Sequence, residues 1–164
     1  MADETPSSIS QALGRIPGSI FIMTSHHEER NRGVMVSWVQ QLSTDPPMVM
    51  IALPKGRPIV PLLHDSHAFA LCQVASSDRL TQKIFRDGID AGENPFEAMD
   101  IKRGPTGSPI IARALAWMDC EMIRHIDVDG DHDIYVGLVR KAEVKDDRDD
   151  EVIIKLRPNG LNHH

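Results

Sequence analysis

The chain has 164 residues, of which 41% are hydrophobic and only 4% aromatic, and its formal net charge at pH 7 is -6. A chain of this length supports one domain with a sizeable core, and that core must be built mainly from aliphatic side chains and methionine. The acidic balance argues against a nucleic-acid partner, because sequence-independent binding to phosphate backbones needs a basic surface.

The composition of the chain ends predicts a flexible N-terminal segment, a central domain and a short tail. Residues 1–10 (MADETPSSIS) are polar and acidic, and they lack the basic region and apolar core of a secretory signal. No later run approaches the length of a membrane span, so we expect a cytoplasmic protein with no membrane partner. The domain is expected at residues 11–158 and the C-terminal tail at residues 159–164.

Apolar runs in the first half of the chain predict short strands separated by turns. Residues 19–24 (SIFIMT) precede a charged hairpin that Gly33 closes, and residues 34–39 and 48–53 flank the turn STDPP. Proline lacks a backbone N–H, so both prolines of this turn are expected outside a central ladder. A further strand is expected at residues 68–74 (AFALCQV).

Two helices are expected around that fourth strand. Residues 59–63, followed by HDSH, have the spacing of one short helix. Ser77 and Asp78 have side chains that cap helix N-termini, and the apolar residues after them recur at near-helical spacing until Gly88. The stretch GIDAGENP that follows is expected to be a loop.

The second half of the chain predicts three more strands. Residues 109–122 (PIIARALAWMDCEM) contain alanines that favour helix, but the alternation in their second half favours strand. A strand bent at Arg140 and Lys141 is expected over residues 134–144, and another over residues 152–156 after an acidic loop. Six or seven short strands with two helices, joined mostly by turns, favour a small antiparallel barrel over a doubly wound parallel sheet.

The run GDHDIYVG, residues 130–137, indicates a ligand site because it places His132 where a turn enters an apolar strand. Imidazole titrates near neutral pH, so a histidine at such a position can hydrogen-bond, orient or protonate a ligand. Taken alone, the run is more typical of a solvated loop histidine, since Asp and Gly are ordinary turn residues. The run becomes evidence for a ligand site only together with the motifs that accompany it.

Motifs for metals, disulfides and common nucleotide folds are incomplete. The alternating aspartates of residues 127–133 lack the glycine and glutamate of a calcium loop, so we interpret this run as a solvated hairpin turn. His64 and His67 have HxxH spacing without further ligands, and no metal site is predicted. Cys72 and Cys120 lie in apolar surroundings, which is typical of buried, reduced thiols. No GxSxG, phosphate-loop or GxGxxG motif is present.

Two segments have side chains suited to a flat, anionic ligand. Residues 36–41 (VSWVQQ) place hydroxyl and amide groups on a strand beside Trp38, where a flat heterocycle could dock; simple strand alternation with Trp38 in the core explains the segment equally well. Lys55 and Arg57 in PKGRP supply two cations at a strand end, as a phosphate requires. In isolation this pair is more typical of a solvated basic loop.

Taken in order, these motifs resemble the flavin reductase family, the FMN-binding split-barrel proteins that include flavoredoxin and the reductase partners of flavin monooxygenases. Residues 33–47 (GVMVSWVQQLSTDPP) resemble the family's strand, turn and double proline, and PKGRP falls where its phosphate loop lies. FALCQVAS, TGSPIIARALAWMDCEM and GDHDIYVG follow in order, and such an ordered set is far more specific than any single match. The similarity covers residues 13–144. It implies a mainly β fold, a six- to seven-stranded antiparallel Greek-key split barrel with a few peripheral helices.

The resemblance also implies the site residues. His132 would be catalytic and would approach the flavin or the incoming nicotinamide. The remaining residues would hold FMN: they are Val36, Ser37, Trp38, Val39 and Gln40 along the isoalloxazine, Lys55 and Arg57 at the phosphate, Cys72 on the strand beneath it, and Phe96 over the pocket.

The implied reaction is hydride transfer from NADH or NADPH to FMN, with the protein supplying alignment and electrostatics. A homodimer in which two subunits complete each site is also implied, together with a flavin-dependent oxygenase or another electron acceptor as a partner. Two alternatives stay open. One is an FMN-binding protein that relays or senses electrons without reductase turnover, and the other is a split barrel that binds haem, another flat ligand or only a protein.

Overall fold

A computed structural model describes residues 7–86 and 94–161 of the chain. Within these ranges the three α-helices are α1 (Ser8–Gly14), α2 (Val60–Ser66) and α3 (Arg79–Arg86). The strands are β1 (Gly18–Ser19), β2 (Phe21–His27), β3 (Arg30–Val36), β4 (Val39–Thr44), β5 (Pro47–Pro54), β6 (Ala68–Gln73), β7 (Ile101–Arg103), β8 (Pro109–Ile111), β9 (Ala116–Ile126), β10 (His132–Val144) and β11 (Ile154–Lys155). Short 3-10 helices span Pro95–Ala98 and Asp149–Glu151. Among the helices in these ranges, none has the length and apolar composition needed to cross a membrane.

Seven strands form one antiparallel sheet in the order β3-β2-β6-β9-β10-β5-β4. β3 and β4 are the two ends of this order, yet only Ser37 and Trp38 separate them along the chain. Because consecutive Cα atoms are about 3.8 Å apart, the end of β3 and the start of β4 lie within about 12 Å of each other. The sheet must therefore curl until its edges meet, and the predicted fold class, a mainly β antiparallel split barrel with a few peripheral helices, is confirmed.

The core lies on both faces of this sheet because successive side chains of a strand point in opposite directions. In β2, Met23 belongs to the cluster inside the barrel, which also contains Phe69 and Tyr135. Its neighbour Ile22 belongs to a second cluster, where Phe85 of α3 covers the outer face. Full burial of each such side chain stabilises the fold by about 1.5–3 kcal/mol. Strand β6 lies between the two clusters, which explains why its sequence is an unbroken apolar run.

Most predicted strands and helices are confirmed, but the strand expected at residues 34–39 is in fact two strands. It breaks at Ser37 and Trp38, where the chain crosses from one edge of the sheet to the other. Gly33 lies inside β3 and not in the turn, and a Cβ at this position would collide with the ring of Phe85. The turn falls instead at Glu28, which adopts the left-handed region with φ 52°.

The second half of the chain follows the predictions with changes of length. The ambiguous stretch at residues 109–122 forms β8 and then enters β9, so its second half is strand as expected. The bent strand expected at residues 134–144 is β10, which begins two residues earlier at His132, and the predicted bend appears as a register shift against β9 between Val139 and Lys141. The terminal strand β11 is shorter than expected.

The N-terminal segment, expected to be flexible, and the C-terminal tail pack against each other where the structure describes them. Ser7 caps α1 by accepting a hydrogen bond on Oγ from the Ser10 backbone N–H at 3.2 Å, so residues 8–10 are helical. In the predicted tail, Gly160 is buried and its backbone N–H donates to the Ser10 carbonyl at 2.7 Å. Residues 1–6 and 162–164, which complete the two predicted terminal segments, lie outside the described residues.

Candidate functional site

A cleft of about 380 Å³ opens where β3 runs into β4. Its volume falls within the range of about 300–1,000 Å³ that is usual for small-molecule sites. Its walls come from β1, the end of β3, the loop after β5, the end of α3 and the segment around β11; they are Gly18, Ile20, Met35, Val36, Ser37, Trp38, Arg57, Arg86, Lys155, Leu156, Arg157 and Pro158. We refer to this site as the β3–β4 cleft.

The β3–β4 cleft concentrates positive charge in an acidic protein. Four of its lining residues, called here the cleft cations, are Arg57, Arg86, Lys155 and Arg157, and none of the described residues that line it is Asp or Glu. The whole chain carries a net charge of -6, so this local excess opposes the overall balance. A concave site with one sign of charge attracts the opposite ion, and guanidinium groups form short, charge-assisted hydrogen bonds to phosphate.

Trp38 is a wall of this cleft and not a core residue. Its side chain is half-buried. The Arg157 guanidinium carbon lies 5.0 Å from the centroid of the indole ring, a cation–π contact. The imidazole of His132 packs on the same indole with ring centroids 4.5 Å apart and planes tilted by 31°. Of the two explanations for this segment, the alternation that would bury Trp38 in the core is therefore excluded.

His132 is the first residue of β10, at the lip of the sheet, as the sequence indicates. Its Nδ1 lies 2.6 Å from Asp131 Oδ1, and because a carboxylate only accepts hydrogen bonds, Nδ1 carries a proton. The ring is 11% exposed. His132 is not one of the residues that line the cleft; it reaches the cleft through its contact with Trp38.

Lys55 and Arg57, predicted as a pair of phosphate ligands, point to different surroundings. Arg57 lines the cleft, whereas Lys55 does not. Lys55 Nζ donates to Asp127 Oδ1 and to the Val128 carbonyl, each at 2.9 Å. The hydrogen bond to Asp127 is the main reason that the pKa of Lys55 is raised. Lys55 is therefore committed to the loop between β9 and β10.

The aspartate run expected to be a solvated turn is solvated only in part. Asp127 and Asp131 are exposed, but the Asp133 side chain is 13% exposed and accepts a hydrogen bond from His125 Nε2 at 3.0 Å. This bond, followed by the charge of Lys55, holds the pKa of Asp133 below its ordinary value. Asp133 enters β10 with its side chain buried because it has partners there, which the alternating pattern alone does not reveal.

His125 belongs to a group of rings behind Asp133. Its ring stacks on Tyr135 with centroids 4.8 Å apart and planes at 11°, and the ring of His64 meets it edge-on at 4.8 Å. Within residues 7–86 and 94–161, no group of three or more His, Cys, Asp or Glu side chains has the arrangement to hold a metal ion.

The other predicted flavin ligands do not line the cleft. Val39 packs against the inner core and Gln40 is exposed. Cys72 is fully buried in the outer cluster, where burial raises the pKa of its thiol to about 12. Phe96 is buried against Phe85 with ring centroids 5.5 Å apart, so it fills the core instead of covering the pocket.

The structure also adds three cations that the sequence analysis missed. Arg86 comes from α3, and Lys155 and Arg157 come from the far end of the chain. The pairing of β1 with β11 brings them to the cleft, with Ser19 opposite Ile154 in the ladder. The only sequence signal is the Lys-x-Arg spacing, which puts both cations on one side of an extended segment. That spacing does not say which site they face.

A larger cavity of about 710 Å³ lies between α3 and the 3-10 helix at Pro95–Ala98. Its charged lining mixes Glu97 and Asp100 with Arg113, and in the described part of the chain none of the predicted site residues lines it. The smaller β3–β4 cleft is the better candidate, because its described lining combines an aromatic wall with four cations and no carboxylate.

Comparisons with known proteins agree with this architecture. A family model described as "Flavin reductase like domain" matches residues 13–160. The chain is 30% identical over 142 residues to diflavin flavoprotein A 1 of Synechocystis sp., covering 84% of this chain and 25% of that protein. It spans about a quarter of the length of the curated relatives it matches.

Two solved structures are similar to this one in fold. Nitrilotriacetate monooxygenase component B from Mycobacterium thermoresistibile superposes with a TM-score of 0.80 at 24% identity, covering 92% of this chain and 82% of that chain. The NADH:FAD oxidoreductase SgcE6 of Streptomyces globisporus C-1027 superposes with a TM-score of 0.81 at 23% identity, covering 94% of each chain.

Proposed function

The chain belongs to the flavin reductase like domain family, and from this premise we propose that it is an NAD(P)H-dependent flavin reductase that binds FMN in the β3–β4 cleft. The observation that carries the proposal is the lining of that cleft, in which Trp38 and the end of β3 lie beside the four cleft cations. The similar proteins support it further, since one is described as an NADH:FAD oxidoreductase.

The groups present in the cleft fit a flavin mononucleotide. The tricyclic ring is flat and largely apolar, and Trp38, Met35 and Leu156 offer apolar surface for it. The phosphate is anionic, and the cleft cations surround it with opposite charge. Arg157 already donates to the Gly160 and Leu13 carbonyls, so we assign the charge-assisted donors to Arg57 and Lys155. Arg57 is the predicted phosphate ligand that lines the cleft, and we propose that Lys155 takes the part first assigned to Lys55.

The bound flavin supplies the redox chemistry by accepting a hydride from the nicotinamide, and the protein contributes binding and orientation. Trp38, a wall of the cleft, contacts both His132 and Arg157, and these contacts fix the indole beside the bound ring. Asp131 fixes the imidazole of His132 through Nδ1, so the ring keeps one orientation beside the cleft. We propose that His132 orients the incoming nicotinamide. This role requires no change in the covalent bonding of the histidine.

We extend the proposal to a homodimer and to an electron-accepting partner. Large apolar side chains are exposed at the cleft: Leu156, which lines it, is 58% exposed, and Ile154, which precedes the lining residue Lys155, is 68% exposed. Apolar surface of this kind at the rim of a site is typical of a protein–protein interface, and a second copy seated there would shield the cleft from water. A flavin-dependent oxygenase is the partner that we infer, since one similar protein is component B of a monooxygenase.

Anaerobic stopped-flow spectroscopy tests the proposal. The protein, saturated with FMN, is mixed with NADH or NADPH, and the loss of the visible absorbance of oxidised flavin is followed. We expect bleaching that is faster than in a mixture of free FMN and the same nicotinamide. Bleaching at the rate of free FMN would remove the enzymatic part of the proposal, and a protein that retains FMN under those conditions would be a flavin carrier without turnover.

A further inference from the structure

We propose that Lys55 positions His132 by fastening the loop between β9 and β10, and that it does not bind the flavin phosphate. This loop, residues 127–131, is called here the hairpin loop, and His132 follows it directly. The inference rests on the proposed function, because the role of Lys55 is defined by its effect on hydride transfer.

Lys55 holds both ends of the hairpin loop. Its Nζ donates to Asp127 Oδ1 and to the Val128 carbonyl at the start of the loop, each at 2.9 Å. Its backbone N–H donates to the Asp131 carbonyl at the end of the loop at 2.9 Å. Asp131 in turn binds the imidazole of His132 through its carboxylate. Lys55, which directly follows β5, is therefore bound to the loop on both sides of its tip.

The third contact of the Lys55 ammonium group lies beyond the loop, on β10. Asp133 Oδ1 is 3.5 Å from Lys55 Nζ, and its other oxygen accepts the hydrogen bond from His125. Asp133 follows His132 in sequence, so the partners of Lys55 lie on either side of the histidine. An ammonium group has three donors; here two of them bond to Asp127 and Val128, and Asp133 lies at ion-pair distance. Lys55 is not among the described residues that line the cleft.

The expected effect is on geometry more than on global stability. Lys55 is 41% exposed and Asp127 is 77% exposed, and ion pairs at such exposed sites contribute little to the free energy of unfolding. A displacement of a catalytic group by about 1 Å can nevertheless slow a reaction by about 100-fold. Removal of the Lys55 side chain leaves its backbone bond to Asp131 intact, so we expect a partial loss of positioning.

The first experiment separates phosphate binding from positioning. The dissociation constants of FMN and riboflavin are measured by flavin fluorescence for the wild type, Lys55→Met and Arg57→Met, because the ratio of the two constants isolates the contribution of the phosphate. We expect Lys55→Met to keep the wild-type ratio within about twofold and Arg57→Met to reduce the FMN preference by about tenfold. An equal loss of preference in Lys55→Met would make Lys55 a phosphate ligand and overturn the proposal.

The second experiment measures hydride transfer in a single turnover with flavin saturating. We expect Lys55→Met to slow the step by about tenfold, Lys55→Arg to recover part of the rate, and the double variant Lys55→Met/His132→Ala to be no slower than His132→Ala. Lys102→Met is the matched control, since Lys102 forms a similar ion pair with Glu143 at 3.0 Å and is 43% exposed. It should react at the wild-type rate.

The outcomes distinguish this inference from the proposed function. If the wild type does not reduce flavin, or if His132→Ala reacts at the wild-type rate, the proposed function or the role of His132 fails, and the inference falls with it. If His132→Ala is slow but Lys55→Met is as fast as the wild type, only the inference fails. Losses that multiply in the double variant would likewise show that Lys55 acts independently of His132.

Discussion

The β3–β4 cleft and the hairpin loop use the same kind of residue in opposite ways. In the cleft, Arg57 stands with other cations and no lining carboxylate among the described residues. At the hairpin loop, Lys55 is surrounded by oxygen atoms of Asp127, Val128 and Asp133. One region holds positive charge that an anionic ligand can neutralise, and the other holds positive charge that the protein has already neutralised.

The difference arises within three consecutive residues. Lys55 and Arg57 are separated only by Gly56, which has φ 78° and no neighbouring atom within 4 Å of a Cβ built there. The left-handed turn sends the chain in a new direction immediately after β5, so the two cations do not share a face. A basic pair in a sequence is therefore weak evidence for a shared phosphate site unless the backbone between its members is known.

The largest effect that we expect is the loss of FMN affinity when two cleft cations are removed. Arg57→Met/Lys155→Met should raise the dissociation constant of FMN by about 100-fold, because each hydrogen bond to a charged group is worth about 1.5–3 kcal/mol. Fluorescence titration with FMN measures this. The control Lys55→Met/Lys102→Met removes the same number of charges outside the cleft. A similar loss of affinity in the control would mean that net charge, and not the cleft, determines FMN binding.

The second largest effect is expected at His132, which contacts Trp38 of the cleft and Asp131 of the hairpin loop. His132→Ala should slow flavin reduction by about 30-fold while changing the dissociation constant of FMN by less than about twofold, if it orients the nicotinamide. Stopped-flow rates and flavin titrations on the same preparation give both numbers. Unchanged rates would remove His132 from the reaction, and a parallel loss of FMN affinity would make it a flavin ligand.

A smaller effect is expected at the residue that separates the two cations. Gly56→Ala should lower the free energy of unfolding by about 1 kcal/mol, because a positive φ is strained for alanine even where space is open. Urea denaturation measures the change. If stability is unaffected, the left-handed turn between Lys55 and Arg57 is not a constraint of the folded chain.

The smallest expected effect is a pH dependence of stability that arises at Asp133, next to the hairpin loop. The pKa of Asp133 is lower in the folded state than its ordinary value, chiefly because of the hydrogen bond from His125. Its stabilising contribution is therefore complete above the ordinary aspartate pKa and is lost as the pH falls through the folded value. In urea denaturation from pH 6 down to pH 3, Asp133→Asn should lose less stability than the wild type. Parallel curves for the two proteins would contradict this assignment.

Local sequence patterns predicted the elements of the fold, and they failed where distant contacts decide the structure. The apolar runs located β2, β5 and β6 because burial of alternating or continuous side chains leaves a direct pattern. Helix α1 was missed because it is only seven residues long, and it is held by contacts with residues 157–160. The break between β3 and β4 was missed because it follows from closure of the barrel and not from the residues themselves.

The residues of the candidate site were likewise predicted where neighbouring residues define them and missed where distant contacts do. The strand end with Trp38 was identified from neighbouring residues, and it does line the cleft. Lys155 and Arg157 were not identified, since only the pairing of β1 with β11 brings them there. The resemblance assigns Lys55 to the phosphate, whereas its actual partner, Asp127, lies 72 residues away in the chain. A pattern of neighbouring residues cannot reveal a partner so far away in the sequence.

Trp38 offers the most direct test of the central claim that flavin binds in the β3–β4 cleft. The chain contains two tryptophans, so Trp117→Phe leaves Trp38 as the only indole, and its fluorescence reports contact with a bound flavin. We predict that FMN quenches this emission almost completely, at the concentrations at which flavin fluorescence polarisation shows binding. FMN that binds while the emission of Trp38 stays unchanged would place the flavin elsewhere and contradict the account.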